Sequence, residues 1–157
     1  MDGETIARAV HVLALVHWLG GVAMVTAVIL PSVRRFAEPE RGLALFEAVE
    51  GRFALQARVS VALAGLSGLY LTWRLDAWDR FTDTGFWWMH AMVAVWAMFT
   101  VVLFVAEPLF LHAWFRRNAE KDPVRTFAVV QRAHWLLLTI SAATIAAGVL
   151  GAHGAFY

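Results

Sequence analysis

With 157 residues the chain is one domain in size, yet 61% of them are hydrophobic and the mean hydropathy is +0.63. Soluble domains hold roughly 45–50% apolar residues, so the composition points to a bilayer as solvent. Thirteen Lys and Arg against twelve Asp and Glu give a net charge of +1, which argues for no nucleic-acid partner, and the absence of cysteine excludes disulfides, thiolate metal sites and iron–sulfur clusters.

Four stretches contain no Asp, Glu, Lys or Arg: Ala9 to Val33, Val59 to Trp73, Thr84 to Ala106 and Ala133 to Tyr157. Three reach the ~20 residues that cross a ~30 Å hydrocarbon layer. The second does so by taking in Phe53 to Ala57, with Arg58 snorkelling or paired. The expectation is an all-α, antiparallel up-down four-helix transmembrane bundle forming a single domain, with spans near residues 6–33, 53–74, 86–115 and 127–153.

The first span ends at Pro31, which closes a helix near a membrane surface. Asp2 and Glu4 beside Arg8, and the length of the apolar run, read as a retained helix rather than a signal peptide. Glu38 to Arg52 mixes Leu43, Leu45, Phe46 and Val49 with charges, predicting a short amphipathic cytoplasmic helix before the second span.

The second span carries Ser60, Ala64 and Gly68 at four-residue spacing, and the fourth carries Ala143, Ala147 and Gly151. Such ridges let backbones, a flat ring or a second copy of the bundle approach closely. Trp73, Trp78, Trp87 and Trp88 flank the loop from Arg74 to Thr84 and mark a membrane boundary. The third span is broken by Glu107-Pro108, which should free a carbonyl near Phe104.

Arg34, Arg35, Arg41, Arg52, Arg58, Arg116, Arg117, Lys121, Arg125 and Arg132 fall on one side, against Arg8, Arg74 and Arg80 on the other. By the positive-inside rule the first side is cytoplasmic, and a bacterial inner-membrane protein with both termini periplasmic is expected.

Histidines carry most of the remaining chemistry, because ionisable groups are expensive in hydrocarbon and sit there for a purpose. Counting 1.5 Å per residue, His11 and His90 both lie about 4 to 5 Å inside the outer boundary, His17 about 9 Å deeper than His11, and His153 approaches the same end. Two imidazoles at one depth on different helices suit axial ligation of a b-type haem, with His17 as the substitute for His11. Gly21, one turn from His17, would give a porphyrin room, and Arg8, Arg74 or Arg80 would pair with its propionates. The structural alternative makes His11 and His90 interfacial residues bonded to backbone or water, and His153 and His112 boundary residues.

The inner half holds Arg58, Glu107, Gln131, Arg132 and His134. A bridge from Glu107 to Arg58 or Arg132 that fixes packing is one reading; a proton path or second site using His134 is the other. For zinc or copper no two histidines stand four apart on one helix, and thioether ligands come only from Met24, Met89, Met92 or Met98.

The run His11-Val-Leu-Ala-Leu-Val-His17-Trp18-Leu-Gly-Gly21, then Pro31, Phe46-Glu47 to Arg52, the glycines of the second span and Trp88-Met89-His90-Ala91-Met92, resembles the HemJ and CopD group of small bacterial membrane proteins over about two thirds of the chain. The likeness is greatest in the first span, where a histidine precedes a tryptophan by seven residues and glycine follows. It implies a functional His11, association with b-type haem and outward-facing ends. The chain departs from HemJ at Met92, where that family has lysine, and at Gln131-Arg132-Ala133-His134-Trp135, where it has an Arg, Asn-Glu and Pro cluster.

The expected function is therefore that of an inner-membrane haem protein moving electrons between a quinone-type donor and another redox partner, in a sibling family of HemJ. A HemJ-like protoporphyrinogen oxidase and a CopD-like copper or cation transporter are the alternatives.

Overall fold

The computed structural model describes residues 2–36 and 39–156. Four helices are long and apolar enough to cross a membrane: α1, Gly3–Arg35; α2, Pro39–Arg74; α3, Thr84–Lys121; and α4, Pro123–Ala152. At most a third of the residues in any span's apolar window are buried inside the bundle. The outward residues include Leu13, Val16, Leu66, Leu69, Leu109 and Leu136, which only lipid or another apolar partner can cover. The chain is a multi-pass membrane protein.

The helix ends follow from local chemistry. Asp2 caps α1 by accepting from the Thr5 amide at 2.9 Å. α2 stops at a left-handed Asp76 (φ 48°), with the Ala77 amide reaching back to the Thr72 carbonyl at 3.0 Å. Between α3 and α4 stands only Asp122. It is kept out of the helical region by the proline that follows, its amide closes α3 on the Asn118 carbonyl (2.9 Å), and its carboxylate caps the Arg125 amide (3.0 Å).

The helices form a ring in which α1 packs on α2 and α4, and α3 on α4 and α2. At the arginine-rich end Phe46, Phe115 and Phe127 meet with ring centroids 5.0 to 5.6 Å apart, over Val25, Leu30 and Val33. Mid-bundle, Trp18 stands edge-on to Phe99 at 4.5 Å, beside Val22 and Val61. Trp96 lies flat over Gly65 and donates from its indole nitrogen to the Val61 carbonyl at 3.0 Å.

Two details differ from expectation. The amphipathic segment is helical but is not a separate element, since it runs unbroken into α2. Its apolar positions continue the buried stripe of that helix through Phe46, Ala54, Ala57, Val61 and Ala64, so Phe46 enters the core at 1% exposure instead of lying on the membrane surface. Glu38, where that segment was expected to start, lies outside the described residues. The second difference concerns the prolines. α1 passes through a π-helical turn at Val25–Ile29 and α3 through a longer one at Val102–Leu111 that contains Pro108. In that register hydrogen bonds skip five residues, so the carbonyl deprived by Pro108 is Leu103, one residue before the expected Phe104.

Candidate functional site

The α1–α2 interface at the tryptophan-rich end is built from histidines on one helix and small hydroxyl residues on the other. His11 places Nδ1 3.0 Å from the Ala64 carbonyl and 3.0 Å from Ser67 Oγ. A carbonyl only accepts, so Nδ1 carries the proton, and Ser67 has already given its own proton to the Leu63 carbonyl at 2.6 Å. The consequence is a fixed tautomer in which Nε2 keeps its lone pair. Gly68 permits the approach, since a Cβ there would stand 3.2 Å from His11 Cε1. Further in, His17 Nδ1 lies 2.8 Å from the buried Ser60 hydroxyl. The ridge of Ser60, Ala64 and Gly68 thus receives flat rings, and the rings are imidazoles.

The other expected ligands lie elsewhere. His90 is exposed on α3 and sets its ring edge-on to Phe81 of the loop between α2 and α3 at 5.4 Å, while its neighbours Trp88 and Met89 take the buried positions. No hydrogen bond or ring contact joins His90 to His11 among the described residues. His153 is exposed and turns Nδ1 back to the Val149 carbonyl at 2.8 Å. The room expected beside Gly21 is taken by Phe53, whose ring would stand 1.9 Å from an added Cβ. Arg8 is exposed, and Arg74 reaches Glu4 of α1 at 3.6 Å. Arg80 stacks over the Phe86 ring at 5.2 Å.

In the arginine-rich half the bridge of Glu107 falls on Arg58, and Arg132 is exposed. Arg58 also donates from Nε to the Leu103 carbonyl at 2.9 Å. His134 is half-buried and bonds the Val130 carbonyl of its own helix at 2.9 Å, so it joins no network with Glu107. A cavity of about 330 Å³ opens here, lined by Glu47, Glu50, Gly51, Arg58, Glu107, Pro108 and His112. Glu47 lies 3.4 Å from Arg116 Nε, an ion pair without hydrogen-bond geometry, since the facing carboxylate oxygen has no hydrogen-bond partner.

No protein-family model matches the chain, and no curated protein or solved structure matches it at a significant level. Function must therefore be argued from the groups themselves. Among the described residues no three His, Asp or Glu are grouped to hold a metal ion, so the arrangement offers single imidazoles in place of a chelating cluster. Sequence reasoning placed Ser60 on the ridge without pairing it with His17, and missed Ser67. Their signal was available: two antiparallel helices in contact pair residues whose numbers have a nearly constant sum, and His11 with Ser67 and His17 with Ser60 satisfy that condition.

Proposed function

We propose that this chain is a b-type haem protein of the bacterial inner membrane, with its arginine-rich end facing the cytoplasm, both termini periplasmic, and His11 as an axial ligand. The observation that carries the reading is the bond from His11 Nδ1 to the Ala64 carbonyl. Ligating histidines characteristically hand their second ring N–H to such an acceptor, which orients the ring and raises the basicity of the other nitrogen. The Ser67 oxygen reinforces that tautomer, and Gly68 keeps the ring close to α2. When bound, haem would supply one-electron chemistry between a quinone-type donor and an acceptor. His90, in its setting against Phe81, does not fit as the opposing ligand, and the Gly21 position does not fit a macrocycle while Phe53 fills it.

The test is the absorption spectrum of protein purified from haem-sufficient cells, with a pyridine haemochrome assay. A Soret band that sharpens on dithionite reduction is expected. His11→Ala should lose most of the haem and His112→Ala should keep it; colourless wild type, or equal retention in both variants, refutes the proposal. Complementation of a strain lacking protoporphyrinogen oxidase distinguishes a HemJ-like enzyme.

A second reading, CopD-like passage of copper or another cation, is favoured by one observation: His11 and His17 are both tethered through Nδ1 to α2, along one interface. They stand six positions apart, about 9 Å along a helix, which suits stepwise transfer better than chelation. Copper uptake into vesicles that survives His11→Ala with His17→Ala removes this reading.

A further inference from the structure

Each proline inside a span leaves a backbone carbonyl without its amide, and in both cases the missing donor comes from a different helix. In the π-helical register the Leu30 amide reaches the Val25 carbonyl and the His112 amide reaches Glu107. Pro31, next after Leu30, would by the same count have served Thr26, and Pro108 would have served Leu103. Instead the Thr26 carbonyl lies 3.4 Å from Gln131 Nε2 of α4, and the Leu103 carbonyl lies 2.9 Å from Arg58 Nε of α2. Both donors cross between the two helical hairpins: α4 serves α1, and α2 serves α3.

An orphaned carbonyl in hydrocarbon has no water to turn to, and the side chains that meet it are themselves anchored. Gln131 accepts from Arg34 through its amide oxygen, and Arg58 holds Glu107 with its remaining nitrogen. The first of these contacts is exposed and the second half-buried.

We propose that Arg58 and Gln131 are crossed latches on two proline hinges. Each ties an odd-numbered helix at its proline to the opposite hairpin, and each is needed because its proline is present. Arg58 lines the cavity together with Glu50 and Gly51 on α2 and Pro108 and His112 on α3, so the latch lies at that opening.

The claim has a thermodynamic signature, because restoring the amide should make the latch unnecessary. In a double-mutant cycle in detergent micelles, Gln131→Leu alone should shift the unfolding equilibrium roughly tenfold. In a Pro31→Ala background the same change should have almost no effect, while Arg34→Met, which leaves the amide donor in place, should not show this dependence on Pro31. Arg58→Leu, made in Glu107→Gln chains, should show the same coupling to Pro108→Ala. Additive effects in both cycles overturn the proposal.

A spectroscopic readout covers variants too unstable to titrate. Thr26-Ala27 is the single Thr-Ala pair in the sequence, so carbonyl-¹³C threonine with ¹⁵N alanine isolates one carbonyl. Its ¹³C shift should move upfield with Gln131→Met, a change close in volume, in the Pro31 chain and stay put in the Pro31→Ala chain. An unmoved resonance in the Pro31 chain means that the glutamine does not cap Thr26 and refutes the latch.

Discussion

Replacing glycine by alanine should have opposite effects at two positions that the sequence alone does not distinguish, Gly65 and Gly20. At Gly65 an added Cβ would stand 2.5 to 2.6 Å from three atoms of the Trp96 indole, nearly 1 Å inside ordinary contact. The indole cannot turn away freely, because its N–H is bonded to the Val61 carbonyl at 3.0 Å. Overpacking of a filled site costs about 1–3 kcal/mol, and breaking the bond would strand a donor at about 1–3 kcal/mol; the structure can relieve one only by accepting part of the other. Gly65→Ala should therefore destabilise by about 2–4 kcal/mol. Gly20 has nothing within 4 Å of the built Cβ and lies in helix, where alanine is the better residue by about 0.5–1 kcal/mol. Denaturant titration in mixed micelles, read by far-ultraviolet circular dichroism and tryptophan fluorescence, measures both. A Gly65→Ala change below about 0.5 kcal/mol, or a Gly20→Ala change of the same sign and size, refutes the packing argument.

Two further outcomes follow from the ends of the bundle. Phe46→Ala should cost about 3–5 kcal/mol because it empties the centre of the aromatic cluster, whereas Leu45→Ala, next to it and 52% exposed, should stay within about 0.5 kcal/mol; similar losses in the same titration would mean that the start of α2 lies on the surface. Asp2 is held below its ordinary value of 3.8 by bonds from the Thr5 hydroxyl and then the Thr5 amide. Its cap is therefore fully formed above that value and is lost as pH falls through the lower folded value, so the Thr5 amide should exchange faster in Asp2→Ala than in wild type at neutral pH, with the difference closing in acid.

The membrane spans were legible because hydropathy and length are enough to identify them. Their ends were less so. α2 begins at Pro39 and α3 runs on to Lys121, since nothing in water stops a helix from continuing through charged residues when Leu43, Phe46 and Phe115 keep one face apolar and buried or partly buried. Counting along a helix gives no information on rotation about its axis. His90 faces outward, because its neighbours Trp88 and Met89 take the buried positions of that turn. The carbonyl freed by Pro108 was misplaced by one residue for a related reason: a single π-helical register changes the count from four to five.

The helices α2 and α4 differ in what faces their buried serines. Each carries a buried phenylalanine and, fourteen residues on, a buried serine: Phe46 and Ser60, Phe127 and Ser141. Ser60 meets His17 of α1, whereas Ser141 has a buried hydroxyl with no partner. On that side α3 offers Trp88 against Gly151 and Met92 against Gly148, contacts of shape with no polar exchange. The same scaffold thus packs one helix pair by rings on glycines and the other by imidazoles on hydroxyls. A bilayer protein gains nothing in stability from the second arrangement that the first does not supply, since buried polar pairs return little more than they lose on desolvation. The haem ligation proposed above would use the Nε2 atom of His11. His11, with its proton fixed on the far nitrogen by Ala64, is the group through which that function should first be sought.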